Sequence, residues 1–171
     1  ELYRATNDEQ YLQAVCQIVN SILRTDVHNT GAFSTEEQAV GHPYQNGNIE
    51  TCCVVAFNAL AAQVYSLTGN PLLADHLERS HYNAVLGYYS PTGRWSTYNT
   101  PMDGVKCANY HSIVFQSRPG SPELNCCSVN APRGVGLIAF WALMEEEGTL
   151  YINQYEAMQA QTQAGLSISI G

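Results

Sequence analysis

The chain reads as a mainly α-helical protein that turns to short strands near its end, and three observations predict this. Residues 7–23 set Leu12, Val15, Cys16, Val19, Ile22 and Leu23 at the helical period. A longer apolar stretch over 49–67, with Val55, Leu60 and Val64, runs into Thr68-Gly69-Asn70-Pro71, a run whose glycine and proline end helices. Beyond Gly148 the spacing changes to alternation, with Leu150, Ile152 and Tyr155, then Leu166, Ile168 and Ile170.

In chain order, the first helix has Thr6 as its cap. Residues 25–48 dissolve into Thr, Asn, Gly, Ser, His and Pro, the composition of a long irregular loop of the kind that carries function. Residues 71–86 restore the helical period with Leu72, Leu73, Leu77, Val85 and Leu86, which predicts an antiparallel helical hairpin with 49–67. Residues 88–105 read as loops around a short strand at 95–98, and residues 107–125 as irregular chain. Pro132 is expected in the first turn of a helix that continues to Met144. The first residues already look helical and the last strands complete no sheet, so the chain reads as a piece of a larger protein, with targeting signals and localisation left undecided.

Composition narrows the partners. With 171 residues and 45% hydrophobic content the chain can bury a core. Seven Lys and Arg against 15 Asp and Glu give a formal charge of −8, which argues against a nucleic acid or an anionic membrane. A neutral partner fits better, and 11 Tyr, two Trp and many amides are compatible with sugars. Oligomeric state is not legible.

The chemistry concentrates in cysteines. Cys126 and Cys127 are adjacent in Asn125-Cys-Cys-Ser, and Glu50-Thr-Cys52-Cys53 precedes another helical stretch. Adjacent cysteines rarely bond to each other, because a disulfide needs wider Cα spacing and converging Cβ atoms. Thiols with a carboxylate suit zinc, which takes soft sulfur with nitrogen or oxygen in a tetrahedron. Cys16, Cys53 and Cys107 read as small buried side chains, and His28, His42, His76, His81 and His111 lack paired ligand spacing.

Glu50-Thr-Cys52, the helix through Thr68-Gly69, Glu78-Arg-Ser-His-Tyr-Asn83, Tyr98-Asn-Thr-Pro101-Met and Asn125-Cys-Cys-Ser-Val-Asn130-Ala-Pro-Arg133 together resemble glycoside hydrolase family 127, typified by bacterial β-L-arabinofuranosidase. The resemblance implies part of an (α/α)6 barrel catalytic domain over 1–147 and the first strands of a following β-sandwich over 148–171. It also implies a zinc site of Glu50, Cys52, Cys126 and Cys127, with Cys126 as nucleophile. Gly31-Ala-Phe-Ser34-Thr-Glu-Glu37 is similar to the segment leading to the family's acid/base; the Ser34 register selects Glu37, with Glu36 as the alternative. Tyr98 matches an active-site tyrosine. Leu124 departs from the pattern, which has a histidine there, and the departure bears on which sugar is held.

The expected function is therefore a retaining, zinc-dependent glycosidase with a cysteine nucleophile, releasing β-linked L-arabinofuranose from an oligosaccharide or glycan. The alternatives are a zinc-stabilised carbohydrate-binding or structural module, a vicinal-dithiol redox protein, and a helical-barrel glycosidase using two carboxylates.

Overall fold

A computed structural model describes residues 1–44, 47–109 and 124–171. Helices dominate, and the strands are short antiparallel pairs. After α1 (Leu2–Thr6), α2 (Glu9–Thr25) begins at Asp8, whose side chain accepts from the Gln10 amide, so the cap is Asp8 and not Thr6. Thr6 instead turns its hydroxyl back to the Leu2 carbonyl at 2.8 Å. The irregular segment that follows ends in β1 (Asn48–Glu50), which leads straight into α3 (Thr51–Thr68).

α3 is the central helix. Gly69, in the left-handed conformation, closes it, and Asn70 caps α4 (Pro71–Ser80) with Pro71 in the first turn. The two pack as the expected hairpin: Asn58 of α3 meets His76 and Ser80 of α4. α4 continues through a π-turn at His81–Val85 and a 3-10 turn at Leu86–Tyr88. By length and composition α3 could cross a membrane, yet half of it lies buried against α2, α4 and later elements, as befits a core helix.

Three local expectations are corrected. Residues 95–98 make only a single antiparallel bridge, Ser96 to Tyr89; the strand is β2 (Asn99–Pro101), which pairs with β1 in the register Glu50↔Asn99. α5 (Cys126–Gly136) begins six residues before Pro132, so that proline lies inside the helix. The helical stretch ends in a 3-10 turn at Leu137–Phe140, and Leu143–Glu146 is β3, paired with β4 (Thr149–Ile152). Glu147 and Gly148, at φ 49° and 78°, make the two-residue turn between them, a shape that needs positive φ at both positions. β5 (Met158–Gln161) and β6 (Ser167–Ile170) form a further hairpin. Most of 107–125, with His111, lies outside the described residues.

Two core clusters hold the helices. One joins Val19 of α2, Phe57 and Ala61 of α3, Leu73 and Leu77 of α4, and Trp141. The other gathers Val54 and Val55 of α3, Val85, Tyr88 and Ala131 of α5. Gly134 lets α5 approach α3 closely: a Cβ there would lie 2.9 Å from Val55 Cγ2. The C-terminal strands are tied to the helices by Tyr65 donating to Asn153 at 2.7 Å and Asn153 donating to the Trp141 carbonyl.

Candidate active site

Three short pieces of backbone converge on one point. Glu50 ends β1 and caps α3: its Oε2 accepts the Cys53 amide at 2.6 Å, which leaves Oε1 facing away from the helix end. Pairing with β2 brings Thr97 and Tyr98 alongside. Thr51 donates its amide to the Tyr98 carbonyl at 3.0 Å and its hydroxyl to the Thr97 carbonyl at 2.8 Å. Asn125 caps α5 by accepting the Cys127 and Ser128 amides, while Ser128 accepts the Asn125 amide in return. Cys126 and Cys127 thereby occupy the first two helical positions.

Their sulfurs meet Cys52 and Glu50. One ligand atom from each of Glu50, Cys52, Cys126 and Cys127 lies within 4.8 Å of all the others. The sulfurs of Cys52 and Cys127 are 3.2 Å apart, those of Cys52 and Cys126 3.5 Å, and the Cys127 thiol is 3.3 Å from Glu50 Oε1. Cys127 and Glu50 are buried, and Cys52 and Cys126 are half-buried. Among the described residues no lysine or arginine pairs with Glu50.

Protonation follows from this crowding. The hydrogen bond with Cys127 draws Cys52 below the ordinary thiol range, against the opposing effect of burial. The same contact, then burial, raises Cys127 far above it. Burial, then Cys52, pushes Cys126 up to about 11. With no cation among them these acids cannot all ionise in so small a volume. A buried carboxylate facing three soft sulfurs is a donor set that fits a metal ion.

Beside the cluster, Tyr98 donates its phenol to Glu37 Oε1 at 2.7 Å. Burial, then this hydrogen bond, keeps the phenol well above its ordinary pKa, so it remains a donor. Glu36 is turned by a φ of 57°; its amide donates to the Asn48 carbonyl and its own carbonyl accepts the Ser34 hydroxyl. Of the two glutamates, the structure brings Glu37 to Tyr98. Cys53 is half-buried between Glu50 and Ser34, and burial, then Glu50, pushes its thiol up to about 12. Cys16 and Cys107 are also half-buried, so none of the three sits fully inside the core as expected. Leu124 is half exposed.

Sequence reasoning assigned no role to Asn130, which stands four residues after Cys126 and donates its side-chain amide to the Cys52 sulfur at 3.2 Å. The available signal was its spacing, one helical turn from a candidate ligand.

No curated protein matches this chain. The family model described as beta-L-arabinofuranosidase, GH127 catalytic domain, matches residues 1–136, a span that contains every residue of the cluster together with Glu37 and Tyr98. With about four-fifths of its length inside that match, the chain belongs to glycoside hydrolase family 127 and is a glycosidase of the β-L-arabinofuranosidase-like type.

Proposed function

We propose that this glycosidase is a zinc-dependent, retaining enzyme that releases β-linked L-arabinofuranose from glycans, with Cys126 as nucleophile, Glu37 as acid/base and Tyr98 as the group orienting Glu37. The observation that carries the reading is the four-donor cluster lying beside the Tyr98–Glu37 pair. Three sulfurs and one carboxylate suit tetrahedral zinc better than the hard, oxygen-seeking cations. Glu50, Cys52, Cys126 and Cys127 would hold it. Zinc, when bound, supplies the positive charge that lets several neighbouring sulfurs ionise together.

The chain's own residues then divide the chemistry. The Cys126 sulfur attacks the anomeric carbon as the glycosidic C–O bond breaks, and Glu37 gives its proton to the departing oxygen. In the second half Glu37 takes a proton from water, whose oxygen attacks the same carbon and releases the sulfur. Two inversions give net retention. Cys127 and Glu50, the buried members of the cluster, serve as fixed ligands in this reading. On the same family grounds residues 1–147 are proposed as part of a helical barrel, of which the α3–α4 hairpin is one unit, and 148–171 as the start of a β-sandwich.

Elemental analysis of the native protein is expected to show one zinc per chain, lost in Cys52→Ala. A mechanism-based furanoside inhibitor should leave its mass on the peptide that contains Cys126. An inverted product, or an adduct on a carboxylate, would replace this mechanism with the two-carboxylate one.

A further inference from the structure

We propose that Asn130 is a positioning residue of the cluster: its side-chain amide locks the Cys52 sulfur to the first turn of α5, so that Cys52 remains a fixed ligand in register with Cys126. The inference rests on the metal reading above.

The Asn130 Nδ2 lies 3.2 Å from Cys52 Sγ and 3.2 Å from the Cys126 carbonyl. An amide nitrogen carries two hydrogens, one for each partner. The Cys126 carbonyl can only accept, which fixes the orientation of the amide with its nitrogen inward. An asparagine inside a helix is disfavoured, because its side chain competes for local backbone groups. The bond back to Cys126, one turn earlier, is that local habit. It accounts for one hydrogen only.

The second hydrogen crosses to a different helix, to a sulfur 78 residues earlier in the chain. An N–H donor to a sulfur strengthens as that sulfur becomes a thiolate, and it takes up part of the negative charge. Asn130 also adds a neutral donor, directed from α5, to the sulfur contacts that hold the side-chain torsion of the half-buried Cys52. One amide thus spans both halves of the cluster, Cys52 on α3 and Cys126 on α5. Groups that orient metal ligands in this way typically change metal affinity 10- to 100-fold when removed.

The test uses the native protein, zinc and cadmium. In the cadmium-loaded protein the Asn130 side-chain amide proton should show scalar coupling to the metal nucleus through the Cys52 sulfur. Asn130→Leu keeps the branched shape, removes the donor and adds no charge or new ligand, and by chelator competition it should bind zinc roughly 10- to 100-fold more weakly than wild type. A purely structural asparagine would lower the unfolding midpoint without that coupling and without that loss of affinity. Wild type that holds zinc but shows no coupling, together with a Leu variant of unchanged affinity, overturns the proposal. Should the Leu variant not fold, presence or absence of the coupling in wild type decides alone. Wild type that takes up no zinc overturns the metal reading itself, and this inference with it.

Discussion

Glu36 and Glu37 carry the same chemistry one residue apart, and the local backbone separates them. The left-handed turns at Ser34 and Glu36, φ 87° and 57°, commit the Glu36 amide to Asn48 and leave the next side chain directed at the Tyr98 phenol. Removing a general acid slows a reaction by about 100- to 10,000-fold, less so where the leaving group needs no proton. Glu37→Gln should therefore impair natural glycans far more than aryl glycosides with good leaving groups, and azide should rescue the second half-reaction. Glu36→Gln should change rates only a few-fold. The reverse pattern would reassign the acid to Glu36. Cys52, Cys126 and Cys127 were legible in the sequence because doubled cysteines beside helix starts are unusual chemistry. Asn130 was not, because a single amide has no signature until the helix carrying it is docked.

At the scale of elements, the segment between α2 and β1 looks formless in sequence but is pinned at several of its described residues. Asp26 accepts the Val40 and Gly41 amides at 2.7 and 2.8 Å, and His28 donates Nε2–H to the Ser34 carbonyl at 2.9 Å. Gly31, at φ 79°, lies against α4, where a Cβ would come within 2.7 Å of the Ser80 backbone. Gly31→Ala combines a left-handed backbone with a clash that cannot relax by rotating a side chain, and should destabilise by about 2–4 kcal/mol in denaturant titration. Gly41→Ala, at φ 70° with open space around its Cβ, should cost only about 1 kcal/mol. Equal losses would show that the contact with Ser80 does not matter. Helices α2, α3 and α4 were readable because their periodicity is local. β1 and β2 were not: each has three residues, and their pairing joins chain segments about 50 positions apart. Leu143 and Met144 read as the end of a helix because the run from Val135 to Met144 is apolar throughout, and only the Glu147-Gly148 turn reveals the hairpin.

For the molecule as a whole, composition announced a buried core and an acidic surface but not how the core is divided, since both clusters draw on α3 and the contacts are long-range. That packing leaves a histidine where charge is unwelcome. His76 is 1% exposed, packs edge-on to Phe57, and donates Nε2–H to Asn58 Oδ1 at 3.2 Å, while Asn58 donates to Ser80. Its Nδ1 has no partner among the described residues, so a second proton there would be buried without an acceptor. Burial, then the charge of Arg79, lowers its pKa from 6.5 to about 4. Burial lowers His81 as well. Between these values the unfolded chain binds the proton and the folded chain does not. The contribution of His76 to stability is therefore fully present above pH 6.5 and is lost as the pH drops toward 4, by up to about 3 kcal/mol. Denaturant titrations from neutral pH down to about pH 4 should show that decline in wild type and a shallower one in His76→Gln, which has no proton to gain. Parallel curves would mean that His76 protonates in the folded protein as readily as in water, and that the core around Asn58 is open to solvent.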